Sequence, residues 1–157
     1  MSDAIKEQLA TLNQLYKEQD DLYRAYAVKL GISDAAFWVL YTVCDSERPL
    51  SQQDMCDAWY YPKQTINSAI SALMKRGHVQ LAHAAGAGNR KVVELTDAGK
   101  AFCQSAILPF LAAERASFLR LHAEERTTLL ALFRKQIGFL RESTEMIPNP
   151  DGDKNRT

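Results

Sequence analysis

Six polar residues in the segment Lys63–Lys75 have spacings that place them on one face of a helix, opposite Ile66 and Ile70. They are Lys63, Gln64, Thr65, Asn67, Ser68 and Ser71, and Lys75 follows them. Gln and Asn amides can form paired hydrogen bonds with adenine, Thr and Ser hydroxyls can reach phosphates or base edges, and Lys binds phosphates. These seven residues are candidates for contact with DNA, and the alternative is an ordinary solvated helix face.

The same residues belong to a positively charged stretch, Trp59–Val93. It contains five Lys or Arg and no Asp or Glu, in a chain whose formal net charge is zero. Residues 1–57 carry ten acids and five bases, and residues 94–157 carry nine of each. Because phosphate binding depends on the local field, the neutral total does not argue against nucleic acid. The absence of acids favours the DNA interpretation.

Two further basic residues, Arg90 and Lys91, follow a tip of small residues, Ala84–Asn89. Gly86 and Gly88 would let this tip approach DNA closely, and Arg90 can then enter a minor groove. The alternative is a mobile hairpin with ordinary surface charges.

The elements that must position these residues follow from apolar spacing and from helix start and stop signals. Ser51 and Asp54 have the spacing of a capping box, with Leu50 and Met55 placed for a hydrophobic staple. We predict four helices in the first half. The first covers about Ala4–Lys29 and is ended by Gly31, and the second is capped by Ser33 and ended by the turn 45–49. The third runs from Ser51 to about 59–61, and the fourth has Pro62 in its first turn and Gly77 at its end.

The second half is predicted to hold a β-hairpin and two more helices. The fourth helix has a buried face marked by Ile66, Ile70 and Leu73 (or Met74). After it, Val79 and Leu81 are predicted to form one strand, and Val92, Val93 and Leu95 the return strand. A long fifth helix capped by Thr96 should run through Phe118, with a kink or break at Pro109. A sixth helix is predicted after Leu121, and the tail 148–157 is predicted to be disordered.

This order predicts a mainly α-helical fold with a small β-hairpin wing. A winged helix-turn-helix at 33–95 would be flanked by dimerisation helices at 1–32 and 96–147, because the apolar stripes of the outer helices need a partner. The chain has no run of 18 apolar residues and no signal-peptide pattern at its start. We therefore expect a cytoplasmic protein without membrane association.

The residues PKQTINSAISALMKRGHV, followed by VVELTDAGKAF, resemble the MarR family of bacterial regulators. The motifs Leu73–Gly77 and Leu95–Gly99 carry the resemblance, which covers about residues 4–145. It implies a homodimer on a pseudo-palindromic operator, most often a repressor released by small phenolic or lipophilic ligands. One departure concerns the wing, where Gly88-Asn89-Arg90 stands in place of the frequent Asp-x-Arg, so no acid braces Arg90.

Aromatic residues on the first two helices are candidates for binding such a ligand by stacking and hydrogen bonding. They are Tyr23, Tyr26, Trp38 and Tyr41. The alternative is plain core packing. Trp59-Tyr60-Tyr61 is interpreted as a packing cluster at a helix junction rather than as a ligand site.

Cysteine and histidine patterns do not indicate a cofactor. Cys44, Cys56 and Cys103 lack metal-ligand spacing, so they are interpreted as buried apolar residues, with a redox-sensing thiol as the alternative. The histidines His78, His83 and His122 lie apart from any carboxylate cluster, so we expect no metal. No catalytic triad, phosphate loop or carboxylate pair is present in the sequence, which predicts a protein without enzymatic activity.

The leading hypothesis is therefore a dimeric, ligand-responsive transcriptional regulator that binds double-stranded DNA. The alternative is a winged-helix module for protein interaction that does not read DNA. The neutral net charge and the missing wing acid motivate that alternative.

Overall fold

The structure is a computed structural model that describes residues 3–83 and 91–148. Its helices and strands are α1 Asp3–Lys29, α2 Asp34–Asp45, α3 Gln52–Trp59, α4 Lys63–Lys75, β1 Val79–His83, β2 Lys91–Leu95, α5 Asp97–Phe102, a π-helical turn Cys103–Ile107, α6 Leu108–Leu119 and α7 Ala123–Glu145. The predicted class, mainly helical with one antiparallel hairpin, is confirmed.

The chain divides into two compact units, Met1–Leu111 and Ala112–Thr157. The first unit holds a core in which α2, α3, α4 and the π-helical turn each bury apolar side chains. Its most completely buried large residues are Phe37, Leu40, Met55, Ile66, Leu73 and Ile107. Burial of each such side chain contributes about 1.5–3 kcal/mol, so this core dominates the stability of the unit. In the second unit, none of the residues of α7 is buried.

Two glycines end helices as predicted. Gly31 has φ +66° and Gly77 has φ +74°, the left-handed conformation that costs glycine little. After α1, the Ile32 N–H donates to the Ala27 carbonyl at 3.1 Å. After α4, the His78 N–H donates to the Leu73 carbonyl at 3.0 Å. Both ends are therefore Schellman motifs, which satisfy carbonyls that the helix leaves unpaired.

Two helix starts also match the sequence prediction. The Ser33 hydroxyl accepts from the Ala36 N–H at 3.2 Å at the start of α2. At the start of α3, the Ser51 N–H donates to the Asp54 carboxylate at 2.7 Å, and the Ser51 hydroxyl accepts from the Asp54 N–H at 3.3 Å. The capping box is thus complete with Asp in place of the usual Glu.

Replacing Asp54 with alanine is expected to lower the free energy of unfolding by about 1–2 kcal/mol. The substitution removes the partner of the Ser51 N–H and hydroxyl, and Ser51 is buried, so these groups lose their hydrogen bonds without regaining water. Urea denaturation followed by circular dichroism measures the change. Asp57→Ala is the matched control, because Asp57 is exposed in the last turn of the same helix, where a negative charge opposes the helix dipole. An equal loss in both variants would contradict the role of the cap.

The start and the buried face of α4 refine two predictions. Pro62 is the N-cap residue rather than a first-turn residue, and its carbonyl accepts from the Thr65 N–H at 2.9 Å. Leu73 is fully buried, whereas Met74 is 42% exposed, so Leu73 marks the buried face.

The predicted hairpin is present, with register Val79↔Leu95, Leu81↔Val93 and His83↔Lys91. Val79 is buried but Leu81 is 42% exposed, whereas Val93 opposite Leu81 is buried. An isolated bridge adds Leu50 beside Val93, and the Val93 N–H donates to the Leu50 carbonyl at 2.8 Å. The predicted tip and Arg90 lie outside the described residues.

The long helix predicted from Thr96 to Phe118 is interrupted. Thr96 caps α5 by accepting from the Gly99 N–H at 3.0 Å. A π-helical turn then precedes α6, and Pro109 lies in the first turn of α6. Because proline has no N–H to continue the helical hydrogen-bond pattern, the expected break is confirmed in this form. The last helix begins at Ala123, as predicted, and the predicted disordered tail lies beyond the described residues apart from Pro148.

No single described helix is both long and apolar enough to cross a membrane. The helices α1 and α2 meet such a criterion only when they are taken together, and they are bent by 91° at their junction.

Candidate nucleic-acid interface

The helix α4 has one apolar and one polar face. Its buried residues are Ile66, Ala69, Ile70 and Leu73. Six of the seven predicted contact residues on this helix are exposed, and Thr65 is half-buried: the exposed set is Lys63, Gln64, Asn67, Ser68, Ser71 and Lys75. The structure therefore brings these candidates together on one accessible surface, which we call the α4 polar face.

The start of α4 is electrostatically suited to an anion. No acidic residue lies in its first turn, all of which the structure describes, and no side chain caps its N-terminus. The positive end of the helix dipole therefore lies at the start of the α4 polar face without a neutralising acid in the first turn. Lys63 adds a full positive charge at the same end.

Contacts from α2, α3 and the turn after α1 fix the orientation of α4. The helix packs against both α2 and α3. The Gln52 side chain donates to the Lys63 carbonyl at 3.1 Å, and the Arg76 guanidinium donates to the Gly31 carbonyl. Arg76 is one of the five basic residues of the positive stretch, but this bond gives it a structural role that sequence reasoning missed. No local signal indicates a partner so distant in the chain.

A cavity of about 710 Å³ borders the α4 polar face. Its lining includes Gln64, Thr65 and Ser68 from α4 and Asp34 from the start of α2. The Tyr61 hydroxyl donates to the Asp34 carboxylate, and burial followed by this hydrogen bond raises the pKa of Tyr61 above its ordinary value. Tyr61 therefore stays neutral, and its hydroxyl covers one oxygen of the Asp34 carboxylate beside the α4 polar face. Sequence reasoning did not identify this contact between Tyr61 and Asp34.

The end of the described hairpin farthest from Val79 carries one of the two predicted contact residues of the wing. Lys91 is exposed at the first position of β2, opposite His83. Arg90, the other predicted contact residue of the wing, lies outside the described residues.

The four aromatic candidates for ligand binding lie in one cluster. Tyr23 and Trp38 have ring centroids 4.8 Å apart, and Trp38 and Tyr41 have centroids 5.1 Å apart. Tyr26 packs on Phe110 at 4.6 Å, and its hydroxyl donates to the Ala106 carbonyl at 2.8 Å. All four are half-buried. The rings contact one another and the core, and each keeps some accessible surface.

Of the three aromatic residues predicted to pack at the α3–α4 junction, two have partners. The ring centroids of Trp59 and Trp38 lie 4.2 Å apart, and the Trp59 indole N–H donates to the Thr42 hydroxyl at 2.6 Å. Tyr61 bonds to Asp34 as described. Tyr60 is 88% exposed in a left-handed conformation with φ 55°, so the prediction of a packing cluster is wrong for this residue. It ends α3 instead.

A family model described as "MarR family" matches residues 30–88, which span the α2–α3–α4 unit and reach into the wing. Residues 30–88 of the chain thus match the MarR family. Its members are transcriptional regulators that bind DNA, and they are not enzymes. The coarse functional hypothesis drawn from the sequence is therefore confirmed.

One curated relative and two solved structures resemble this chain. The HTH-type transcriptional repressor NicR of Pseudomonas putida is 28% identical over 126 residues, which cover 80% of this chain and 79% of NicR. The solved structure of NMB1585, a MarR family regulator from Neisseria meningitidis, has a TM-score of 0.72 at 19% identity and covers 88% of this chain and 96% of its own. A structure of Bordetella bronchiseptica BpsR, whose DNA binding is regulated by 6-hydroxynicotinic acid, has a TM-score of 0.60 at 21% identity, with coverage of 81% and 90%.

The cysteines of this MarR chain differ in environment. All three are free; Cys56 and Cys103 are buried, and Cys44 is half-buried. Cys44 and Cys103 line the same cavity, although they belong to α2 and to the π-helical turn. Their proximity was not predictable from the sequence, since nothing local relates two residues so far apart. Cys56 packs in the core of α3, as the interpretation of buried apolar cysteines predicts.

The histidines serve no metal site in the described part of the chain. Among residues 3–83 and 91–148, no three His, Cys, Asp or Glu side chains lie close enough together to hold a metal ion. His78 stacks on Phe102 with ring centroids 4.5 Å apart, which is a packing role at the start of β1.

Proposed function

We propose that this MarR-family protein is a homodimeric repressor that binds a pseudo-palindromic operator and releases it when a small aromatic carboxylate binds. The observation that carries the DNA part is the α4 polar face, which is exposed, free of acids and aligned with a helix N-terminus. Similarity to NicR, a transcriptional repressor, supports the repressor assignment. Similarity to BpsR, whose DNA binding is regulated by 6-hydroxynicotinic acid, supports the class of ligand.

Each residue of the α4 polar face has a proposed role. Gln64 and Asn67 read adenine edges in the major groove, because their amides donate and accept at the same time. Lys63 and Lys75 bind phosphates at the two ends of the helix. Hydroxyls and the wing complete the contact: Thr65, Ser68 and Ser71 reach phosphates or base edges, and Arg90 and Lys91 contact the flanking backbone or minor groove.

Homodimerisation is proposed from apolar surface on the outer helices. On α1, Ile5, Leu9 and Leu15 are 52%, 47% and 56% exposed. On α7, Leu129, Leu132 and Phe139 are 48%, 60% and 56% exposed, and no residue of this helix is buried. Helices with such surface need a covering partner, and a second copy supplies a matching apolar surface by symmetry. Residues 1–32 and 96–147 would then serve dimerisation, and 33–95 would serve DNA reading.

The effector site is proposed at the half-buried aromatic cluster of Tyr23, Tyr26, Trp38 and Tyr41. An aromatic ligand can stack on these rings, and tyrosine hydroxyls can donate to its carboxylate. Binding there would act on α1 and α2, and α2 packs against α4. A change in the spacing of two α4 helices lowers affinity for an operator with fixed half-site spacing.

Fluorescence anisotropy with DNA from upstream of the protein's own gene, combined with light scattering after size exclusion, tests this proposal. We expect a dimer that binds this DNA in preference to a scrambled duplex at about 150 mM salt, where non-specific binding is weak. Equal affinity for both duplexes, or a monomer at micromolar concentration, would contradict it.

Tyr23→Phe is expected to weaken binding of 6-hydroxynicotinic acid about tenfold, because it removes a hydroxyl donor to a charged ligand. The ring remains, with its neighbours Trp38 at 4.8 Å and Phe110 at 5.3 Å, so operator affinity without ligand should not change. Isothermal titration calorimetry measures the ligand affinity, and Tyr16→Phe on the same helix is the control. Unchanged ligand affinity in Tyr23→Phe, or an equal loss in both variants, would count against the aromatic cluster as the effector site.

A further inference from the structure

A large aromatic side chain projects into solvent at the turn between α3 and α4. Tyr60 is 88% exposed, the highest value among the large hydrophobic residues that the structure describes. Among residues 3–83 and 91–148, its ring has no aromatic partner and its hydroxyl has no hydrogen bond. Because the ring stays in contact with water, the hydrophobic effect does not account for its position.

The backbone at Tyr60 has a conformation that disfavours tyrosine. Its φ of 55° and ψ of 25° lie in the left-handed region, where the Cβ atom crowds the following carbonyl oxygen. The other described residues with a positive φ are the glycines Gly31 and Gly77. Glycine or asparagine would end α3 with less strain, so stability alone does not favour a tyrosine here.

Hydrogen bonds on both sides hold Tyr60 in this conformation. On one side, the Trp59 indole N–H donates to the Thr42 hydroxyl at 2.6 Å. On the other side, the Tyr61 hydroxyl donates to the Asp34 carboxylate. Both neighbours are thereby attached to α2, and the residue between them is left to project outward. Residues that their surroundings hold in a strained conformation cluster at binding sites, which directs attention to what Tyr60 contacts.

Tyr60 lies close to the α4 polar face. It is three positions before Lys63, so the Cα atoms of the two residues are at most about 11 Å apart. Tyr61, which lies between them, lines the cavity that borders the α4 polar face. A strand of duplex DNA carries a phosphate about every 3.4 Å along the helix axis. A duplex that contacts the α4 polar face therefore brings its sugar-phosphate backbone past Tyr60.

We propose that Tyr60 is a further DNA-contact residue, whose hydroxyl donates to a phosphate oxygen while its ring packs against the adjoining sugar. Tyrosine makes such contacts in protein–DNA interfaces, where they fix the position of the protein without reading bases. A hydrogen bond to a charged oxygen is stronger than one between neutral groups. The fixed turn orients the hydroxyl before DNA arrives, so less conformational freedom is lost on binding. This inference rests on the proposed binding of duplex DNA by the α4 polar face.

Replacing Tyr60 with phenylalanine tests the hydroxyl alone. Fluorescence anisotropy is measured with operator DNA at about 150 mM salt and with a scrambled duplex at about 50 mM, where non-specific binding is stronger. We expect a loss of at least about tenfold on both duplexes, because a dimer loses two hydrogen bonds to charged oxygens. The salt dependence should not change, since the lost group is neutral. Tyr16→Phe, which removes a hydroxyl from α1, is the matched control and should bind as the natural sequence does.

Replacing Tyr60 with glycine separates binding from stability. Glycine adopts the left-handed conformation without crowding, and the exposed ring packs on little, so Tm should rise by about 1–3 °C. Affinity for both duplexes should nevertheless fall at least about tenfold. Differential scanning calorimetry measures Tm, and light scattering after size exclusion should give the same oligomeric state as for the natural sequence.

The outcomes distinguish this inference from the proposed function. Unchanged affinity in both Tyr60 variants would overturn the contact while the natural sequence still binds its operator. A changed oligomeric state, or a fall in Tm of several degrees in Tyr60→Gly, would assign the side chain to protomer contact or to folding instead, and either result would overturn the proposal. Equal affinity of the natural sequence for both duplexes would contradict the proposed sequence-specific function, whereas a tenfold loss in Tyr60→Phe would still support the contact. No binding of the natural sequence to either duplex would contradict both.

Discussion

Replacing both Lys63 and Lys75 with glutamate is expected to lower affinity for operator DNA by at least about 100-fold. The two lysines lie at opposite ends of the α4 polar face, and both are exposed. No acidic residue lies in the first turn of α4, which begins at Lys63. Each reversal replaces an attraction to phosphate with a repulsion, and a dimer carries the change twice. Fluorescence anisotropy at several salt concentrations measures both the affinity and its salt dependence.

The salt dependence separates phosphate contact from general damage. Loss of four phosphate contacts per dimer should reduce the slope of log affinity against log salt by about 3 to 4. Lys17→Glu together with Lys29→Glu is the matched control, because it makes the same change of charge on exposed residues of α1. If this control loses as much affinity as the α4 variant, net charge rather than the α4 polar face governs binding.

Replacing Gly99 with alanine is expected to destabilise the protein by about 3 kcal/mol or more, which corresponds to a fall in Tm of about 10 °C. Gly99 is buried in the first turn of α5, and a Cβ atom there would lie 1.8 Å from the His78 carbonyl oxygen and 2.8 Å from its carbonyl carbon. That oxygen also accepts from the Thr96 N–H at 3.1 Å, so backbone rather than a flexible side chain would have to move. Differential scanning calorimetry measures the effect.

The second helical glycine offers a control with the opposite sign. Gly138 lies inside α7, and an added Cβ atom there would have no neighbour within 4 Å. Gly138→Ala should therefore raise stability by about 0.5–1 kcal/mol, since alanine favours a helix over the unfolded chain. Similar losses in the two variants would show that close packing against His78 is not the reason that position 99 requires glycine.

Sequence reasoning predicted features that depend on neighbours along the chain. Ser33, Ser51 with Asp54, and Thr96 cap helices because a side chain reaches an N–H two or three residues away, and that spacing is visible in the sequence. The exposed and buried faces of α4 follow from helical periodicity in the same way. The wing was predictable as a hairpin from its alternating residues and glycine-rich tip.

The features that were missed depend on residues far apart in the chain. The bond from Arg76 to Gly31, the bridge between Leu50 and Val93, and the cavity shared by Cys44 and Cys103 each require the packed structure. Composition and periodicity place a residue on a face of its own element, but they do not specify the element that meets it. Arg76 accordingly counted only as one charge of the positive stretch, whereas its hydrogen bond joins the end of α4 to the turn after α1.

The bridge from the Val93 N–H to the Leu50 carbonyl joins the wing to the residue that leads into the capped start of α3. This hydrogen bond couples the wing to the start of α3. In the dimer that we propose, the wing and the helix pair of each protomer would therefore move together. A signal that acts elsewhere in the molecule would then change the distance between the two DNA-binding units and leave the bases preferred by each unit unchanged. Under this proposal, operator preference and ligand response can diverge separately in evolution.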